Sequence, residues 1–227
     1  QGIAEYIAEQ GENYKDRGVV IAYDCRHYSE EFAQLAAEVF AANGIKVFTF
    51  SSLRPTPELS FAIRQLKAAA GVNITASHNP KQYKGYKVYW ETGAQVMADI
   101  ADEMLEHIQK VNMFEGVRRI GFEDAVKSGK IVILSEEMDE KYLRLVKTLA
   151  IHEGEELASD VAIVYTPLNG AGSIPVQRIL KDRGFSNVSV VEEQKDPDPD
   201  FTTVGYPNPE DSKAFALAEA LGKKTGA

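Results

Sequence analysis

The chain has 227 residues, which corresponds to about one and a half domains of roughly 150 residues. Its composition, 44% apolar and 26% charged, is that of a globular protein and excludes a disordered, collagen-like or coiled-coil chain. Lys and Arg number 25 against 34 Asp and Glu, and the net charge of −9 opposes binding to nucleic acid or to an anionic membrane surface. A phosphorylated ligand would therefore need a local cluster of positive charge.

The cysteine content and the apolar runs indicate where the protein works. A single cysteine, Cys25, cannot form an internal disulfide bond, which favours a reducing compartment, and we expect a cytoplasmic protein. The apolar runs are far shorter than the roughly 20 residues that a membrane helix needs. The first residues already follow a helical pattern and show no signal peptide, so we expect the chain to be part of a longer protein.

Alternating strand and helix patterns begin at residue 19. Residues 19–23 form a short apolar run typical of a buried strand. A helix is predicted from Ser29, taken as its N-cap, and residues 45–50 form the next strand. The residues of this helix that we expect to face the core share helical spacing: Phe32, Leu35, Ala36, Val39 and Phe40.

The pattern continues with a second helix and a third strand. Thr56 is the predicted N-cap of this helix, with Pro57 in its first turn, and the helix extends to Gly71. Residues 72–75 then form a strand, and a polar loop separates them from an aromatic strand at residues 86–90. The next predicted elements are a helix bearing Ile100 and Met104 and a short helix near 123–127. A strand at 131–134 and a helix bearing Tyr142 follow them.

The strand and helix pattern restarts after residue 150. A strand at 161–165, a helix over 174–180 and a strand at 188–191 precede a proline-rich segment, 195–209, and a final helix over about 210–224. We predict an α/β fold of mixed, mostly parallel sheets sandwiched between helices, with one complete domain and most of a second. Residues 1–150 would form the first domain and residues 151–227 an incomplete second one.

The loop between the third strand and the aromatic strand holds chemically useful side chains and no acid. It contains Ser77, His78 and the lysines Lys81 and Lys84, with Lys87 just beyond it. In an acidic chain this charge pattern marks a candidate anion site, and the serine hydroxyl could accept or donate a phosphoryl group. The same residues are also compatible with a simple turn, because Asn-Pro sequences readily start turns.

The exact sequence of this loop favours the functional interpretation. Residues 75–80, Thr-Ala-Ser-His-Asn-Pro, followed by Gly-Tyr-Lys at 85–87, closely resemble the catalytic loop of the α-D-phosphohexomutases, the phosphoglucomutase/phosphomannomutase superfamily. The resemblance covers the whole chain and looks most like the longer phosphoglucomutase branch. It extends through these segments: residues 23–26, 53–57, 87–90 with 93–95, 165–170, and 197–201 with 207–210.

This resemblance implies a reaction and roles for three residues. Ser77 would carry a phosphate in the resting enzyme, pass it to a sugar monophosphate, and receive the other phosphate back from a bisphosphate intermediate. His78 would lie beside the phosphoserine and orient or neutralise it. Lys87 would bind substrate and act as a general acid/base or as an electrostatic partner of the sugar hydroxyl. Glucose 1,6-bisphosphate is the implied priming activator, and no role is transferred to Lys84.

The resemblance also implies Mg²⁺, but most of its ligands are outside this chain. Relatives bind the ion through a phosphoserine oxygen, here on Ser77, and through three Asp residues of a loop that is absent from this chain. Asp196, Asp198 and Asp200 alternate within the proline-rich segment, which favours an exposed linker over a metal loop. We therefore predict that residues 1–227 cannot turn over substrate without the remaining domains of the full-length chain.

The predicted function is that of an isomerase of carbohydrate metabolism, interconverting sugar 1-phosphate and sugar 6-phosphate. A phosphopentomutase of the same family stays open, because the sugar-selecting residues lie outside the chain. A non-catalytic module that binds phosphosugars also stays open. A serine hydrolase is disfavoured, because Gly-x-Ser-x-Gly is absent and the adjacent Ser77 and His78 side chains are not expected to meet. Asp24 and Arg26 could brace the catalytic loop, but a structural ion pair is the favoured interpretation.

Overall fold

The computed structural model describes residues 1–151 and 159–227, and the fold divides into two units. The elements of the first unit run in chain order α1 (Gly2–Glu9), α2 (Glu12–Arg17), β1 (Val19–Tyr23), α3 (Ser29–Ala42), β2 (Val47–Phe50), α4 (Thr56–Leu66), β3 (Ala70–Ile74), β4 (Tyr86–Trp90), α5 (Ala98–Lys110), α6 (Phe122–Lys127), β5 (Ile131–Leu134) and α7 (Glu136–Lys147). Those of the second unit are β6 (Ile163–Tyr165), α8 (Ser173–Asp182), β7 (Val188–Val190) and α9 (Ala216–Thr225), with short 3₁₀ helices at Glu192–Gln194 and Ser212–Phe215.

The first unit contains a five-stranded sheet in the order β4-β3-β1-β2-β5. β1 pairs in parallel with β2 and β3, and β5 pairs in parallel with β2. β4 pairs antiparallel with β3 and closes one edge. Every residue of the central strand β1 is buried, because helices cover both faces of the sheet. The prediction of a mixed, mostly parallel α/β sheet is confirmed.

Alternate residues of β1 enter two separate hydrophobic cores. Val19 and Ile21 pack with residues of α1, α3 and α6, whereas Val20 and Ala22 pack with residues of α4 and α7. Side chains of a strand alternate between the two faces of its sheet, so each helical layer receives every second residue. The residues that follow β1 therefore start from a strand that is packed on both faces of the sheet.

The second unit has a two-stranded parallel sheet, β6 and β7, in which Tyr165 lies opposite Val190. Its helix α8 contacts α7 of the first unit, and α9 packs against β6. Residues 152–158 adjoin the predicted domain boundary at 150, which stays a prediction. Within the residues that the structure describes, none of the helices is long and apolar enough to cross a membrane.

The structure corrects the predicted core face of α3. Phe32 and Leu35 were expected in the core, but 44% and 39% of their surfaces are exposed. The helix packs through Ala33, Ala37 and the predicted Phe40, and the predicted Ala36 also contacts this core. Small residues let the helix approach the sheet closely, which leaves the larger Phe32 and Leu35 at its flank. Ser29 is the first helical residue, and its hydroxyl donates to Asp24 rather than capping α3.

The limits of α4 and β3 also differ from the prediction. Thr56 begins α4 instead of capping it, and its Oγ1 accepts a hydrogen bond from Asn73. The helix ends at Leu66, and β3 begins at Ala70, so Gly71 lies inside the strand. A Cβ at Gly71 would be 2.4 Å from Ile63 Cδ1, so any other residue there would require the Ile63 side chain of α4 to shift. The final predicted helix begins later than expected, as a 3₁₀ turn that leads into α9.

A buried charged cluster joins α4 to α7. Arg54 donates to both carboxylate oxygens of Asp139, at 3.0 and 2.8 Å. Glu58 lies beside this pair with 1% of its surface exposed, and its Oε1 has no hydrogen-bond partner among the described residues. Burial, together with the adjacent carboxylate of Asp139, raises the pKa of Glu58 to about 8. Burial alone would raise the pKa of Asp139, but Arg54 and Glu58 lower it, so Glu58 is the carboxyl group of this pair that binds a proton more readily.

The raised pKa of Glu58 predicts a pH-dependent stability. A proton bound more tightly in the folded state stabilises it fully below pH 4.5, and this contribution is lost as the pH rises through about 8. We expect the free energy of unfolding to fall by about 3 kcal/mol between pH 5 and pH 8 because of this group. Glu58→Gln carries a neutral amide at every pH and should remove most of that slope in urea denaturation of the 227-residue chain. Glu137→Gln, on the surface of α7, is the control, and an unchanged slope in Glu58→Gln would contradict the assignment.

Candidate active site

Ser77 occupies an exposed turn at the carboxyl end of β3. The loop of residues 75–85 joins β3 to its antiparallel partner β4. Ser77 has a φ of 56°, in the left-handed region, and its N–H donates a 2.9 Å hydrogen bond to Thr75 Oγ1. This conformation costs an L residue other than glycine about 1–2 kcal/mol. The surrounding structure must therefore hold the serine in place.

His78 lies next to the serine hydroxyl. Ser77 Oγ and His78 Nδ1 are 3.4 Å apart, although the two adjacent side chains were not expected to meet. The distance is at the limit of a hydrogen bond. Among the described residues, His78 has no carboxylate partner that would orient it as a general base. The geometry therefore lacks the third member of a hydrolase triad.

Ser77 and His78 lie in the wall of a cleft of about 470 Å³ between the two units. A volume of this size is in the range of small-molecule sites. On the side of the first unit, the cleft is formed by the ends of β1 and β3 and by the start of α4. The opposite wall is formed by the loop of residues 165–172, which follows β6, and by Phe201, Pro207, Pro209 and Phe215.

Two helices begin at this cleft and contribute favourable electrostatics for an anion. Pro55 and Thr56 at the start of α4 line the cleft, as do Gly170 and Gly172 before α8. Neither helix has a side-chain hydrogen bond that caps its first turn. The amino-terminal end of a helix carries a partial positive charge and free N–H groups, which attract phosphate. This arrangement supplies positive potential that the net charge of the chain does not.

The predicted lysines are dispersed rather than gathered at the cleft. Lys87 is half-buried on β4 opposite Asn73, and it is not among the residues that line the cleft. Directly opposed residues of an antiparallel pair project to the same face of the sheet, so Lys87 shares a face with Asn73, which does line the cleft. Lys81 forms a 2.9 Å ion pair with Asp200. The positive charge of Lys81 is therefore paired with a carboxylate of the second unit.

The proline-rich segment is not the exposed linker that was predicted. Asp198 accepts hydrogen bonds from the N–H groups of Asp200 and Thr202, which folds the segment into a turn. This turn places Phe201 in a buried position with 4% of its surface exposed. Phe201 therefore packs against the first unit instead of lying in solvent.

Cys25 also lines the cleft, but it is not a competing nucleophile. Burial raises the pKa of the Cys25 thiol to about 11, so this cysteine is protonated and unreactive at neutral pH. The described residues include no group of three or more His, Cys, Asp and Glu side chains that could hold a metal ion. Residues 1–151 and 159–227 therefore contain no such cluster that could bind Mg²⁺.

Family comparisons agree with this geometry. Residues 1–114 match the family model described as Phosphoglucomutase/phosphomannomutase, alpha/beta/alpha domain I, and residues 140–227 match the model for domain II. The chain belongs to the phosphoglucomutase/phosphomannomutase family. The Ser77 loop falls within the domain I match, and the opposite wall of the cleft falls within domain II. The family predicted from the loop sequence is thus confirmed.

Individual members of the family cover this chain completely. It is 38% identical over 226 residues to a Phosphoglucomutase of Staphylococcus saprophyticus, covering 100% of this chain and 40% of the relative. It is 37% identical over 235 residues to the human Phosphopentomutase, covering 100% of this chain and 38% of that protein. A family structure from Burkholderia thailandensis superposes with a TM-score of 0.74 at 22% identity, over 100% of this chain and 45% of that one, and shares the fold. The chain thus spans about 40% of the length of the curated relatives it matches.

Sequence reasoning missed one polar residue that lines this cleft. Asn73 is buried at the cleft wall, donates a 2.8 Å hydrogen bond to Thr56 Oγ1, and leaves its own Oδ1 without a described partner. The sequence could have pointed to this residue, because Asn73 is the one polar side chain of the otherwise apolar strand β3. A polar side chain in a buried strand needs a specific reason to be there, and here it ties β3 to the start of α4.

Proposed function

We propose that the full-length protein is a phosphosugar mutase, an isomerase that interconverts a sugar 1-phosphate and a sugar 6-phosphate. The observation that carries the proposal is the position of Ser77, an exposed hydroxyl in a left-handed turn at the wall of a cleft between the two units. Membership of the family and similarity to a Phosphoglucomutase support the reaction type.

In the proposed reaction, the phosphoryl group moves between Ser77 and the sugar. The bond between phosphorus and Ser77 Oγ breaks, and a bond to the free sugar hydroxyl forms, which gives a bisphosphate. The bisphosphate turns over in the cleft and returns its other phosphate to Ser77, so no phosphate is lost. His78, 3.4 Å from the hydroxyl, would orient or neutralise the phosphoserine.

Lys87 has a separate role in the proposal. It would bind the substrate and act on the sugar hydroxyl, either by exchanging its proton or by stabilising its charge. Its place opposite Asn73 on the same face of the sheet supports this assignment, because Asn73 reaches the cleft. The helix ends at Thr56 and Gly172 would attract the second phosphate.

Three further elements of the proposal concern the conditions of catalysis. Mg²⁺ would be bound through the phosphate on Ser77 together with residues of the remaining domains, and it would neutralise charge on the phosphoryl group. Glucose 1,6-bisphosphate would prime the serine. A cytoplasmic location fits the unpaired, half-buried Cys25.

The sugar is proposed to be a hexose, with a pentose as the alternative. Similarity supports both, since a Phosphoglucomutase is 38% identical and a Phosphopentomutase 37% identical to this chain. A non-catalytic phosphosugar-binding module would need no exposed hydroxyl in a strained turn. The conformation of Ser77 therefore favours an enzyme.

The proposal is tested by locating the phosphate. Full-length protein is incubated with glucose 1,6-bisphosphate, and its intact mass and its phosphopeptides are measured. We expect one added phosphate on the peptide that contains Ser77, which a subsequent excess of sugar monophosphate removes. An active enzyme with an unmodified Ser77 would refute the phosphoserine mechanism.

A further inference from the structure

The side chain of Arg26 is enclosed beneath the catalytic loop and uses its whole guanidinium group there. This side chain is fully buried. Its Nη2 donates to the carbonyl oxygens of Ser77 and Asn79, at 2.8 and 2.5 Å. Its Nη1 donates to the carbonyl oxygens of Pro80 and Tyr83, at 2.9 and 3.3 Å. One side chain thus holds four carbonyl groups of a single short loop.

Arg26 adds to the hydrogen bonds that the loop makes internally, such as Ser77 N–H to Thr75 Oγ1 and Asn79 N–H to the carbonyl oxygen of Ala76. The side chains at 77–79 and 81–84 are exposed, so they add little hydrophobic packing. Ser77 also has the unfavourable φ of 56°. A buried arginine that satisfies several carbonyl oxygens from one planar group can offset this cost, whereas a lysine has only three donors and no planar geometry.

Arg26 is itself fixed at the carboxyl end of β1. Its Nε donates to Asp24 Oδ2 at 3.1 Å, and its backbone N–H donates to Asp24 Oδ1 at 3.0 Å. The Ser29 hydroxyl donates to the same Asp24 Oδ1 at 2.8 Å. Asp24, which follows β1 and binds the first turn of α3, therefore fixes the position of the guanidinium group that contacts the loop.

The second unit covers this arrangement. The ring of Phe201 lies over Arg26, with its centroid 5.3 Å from Cζ. Asp200 forms an ion pair with Lys81 of the loop, at 2.9 Å, and its Oδ1 lies 3.2 Å from His27 Nε2. The aromatic ring excludes water from the guanidinium group, which strengthens its hydrogen bonds.

We propose that Arg26 is a positioning residue that sets the position of Ser77 for phosphoryl transfer by holding the carbonyl groups of residues 77, 79, 80 and 83. Arg26 binds the carbonyl oxygen of Ser77 and not its reacting Oγ, so it acts through the loop. The inference rests on the proposed role of Ser77. Phe201 and Asp200 extend the same support from the second unit.

The test compares Arg26→Lys and Arg26→Met in the full-length protein with Arg17→Met as a matched control. Arg17 also donates to two backbone carbonyl groups, of Lys67 and Ala68, but it lies outside the cleft. The measurements are kcat and KM, phosphate on the Ser77 peptide, and amide hydrogen exchange of residues 76–85. Thermal unfolding monitors the global fold.

A misplaced reacting group costs on the order of 100-fold in rate, so Arg26→Met should lower kcat by about that factor with KM within about threefold. Exchange in residues 76–85 should rise, and Arg26→Lys should be intermediate because it retains part of the donor set. Arg17→Met should match the wild type in kcat and in loop exchange. If Arg26→Met does not fold, Arg26→Lys alone decides the question.

Two results would overturn the inference: kcat within about twofold of wild type in Arg26→Lys, or loop exchange that stays at the wild-type level in the Arg26 variants. A wild-type protein without phosphate on Ser77 would instead refute the proposed function. The hydrogen-exchange result would then still show whether Arg26 holds the loop. The two failures are therefore distinguishable.

Discussion

Ser77→Ala in the full-length protein is expected to lower kcat by more than about 1,000-fold, because it removes the only atom proposed to carry the phosphoryl group between the two half-reactions. Folding should not change. Among the described residues, the hydroxyl has one polar partner, His78 Nδ1 at 3.4 Å, and Ser77 is bound to Arg26 and Thr75 through its backbone groups. The measurements are steady-state mutase activity and thermal unfolding of the purified variant.

The control for this variant is Ser128→Ala. Ser128 is exposed at the end of α6 and does not line the cleft. It should retain wild-type kcat. Calorimetry with the sugar phosphate completes the experiment, because Ser77→Ala should still bind substrate. Near-normal turnover by Ser77→Ala would show that the serine is structural and would refute the phosphoserine mechanism.

Lys87→Met is expected to lower kcat by about 100- to 1,000-fold, the range of a lost general acid/base or charge partner. We expect this loss because of where the Lys87 side chain lies. Lys87 is half-buried on β4, on the face of the sheet that Asn73 brings to the cleft. The measurement is kcat with saturating sugar phosphate, together with KM, because a residue that binds substrate should change both.

Lys84→Met is the matched control for this lysine. It removes the same charge from the neighbouring loop, where the side chain is exposed, and no role is assigned to it. Its kcat should stay within about threefold of the wild type. Equal losses in the two variants would mean that only the total positive charge matters, and an unchanged kcat in Lys87→Met would exclude the proposed role.

The fold of the first unit could be predicted from local patterns, but its packing could not. The apolar run of β1 and the helical spacing after Ser29 were sufficient to predict a parallel strand-helix unit, which the structure confirms. The same spacing wrongly placed Phe32 and Leu35 in the core. Hydrophobic periodicity identifies the apolar face of a helix. The distance between the helix and the sheet then decides whether large side chains or alanines of that face contact the sheet.

The candidate site shows the same division between chemistry and placement. Ser77 and His78 were singled out from the sequence, and the structure brings both to the cleft. Lys81, in the same loop, pairs with Asp200, which is 119 positions away in the chain. No local pattern contains that pairing, because it depends on how the second unit packs against the first.

The sequence by itself determined the family, the alternation of strands and helices, and the identity of the loop that bears Ser77. Those properties are local, since they depend on residue types within a few positions of one another. Only the tertiary structure brings the Arg26 side chain to the carbonyl oxygen of Ser77, beside the hydrogen bond that Thr75 accepts from the Ser77 N–H within the loop. That contact joins residues 51 positions apart. Such a pairing is set by the parallel arrangement of β1 and β3, which brings their carboxyl ends side by side.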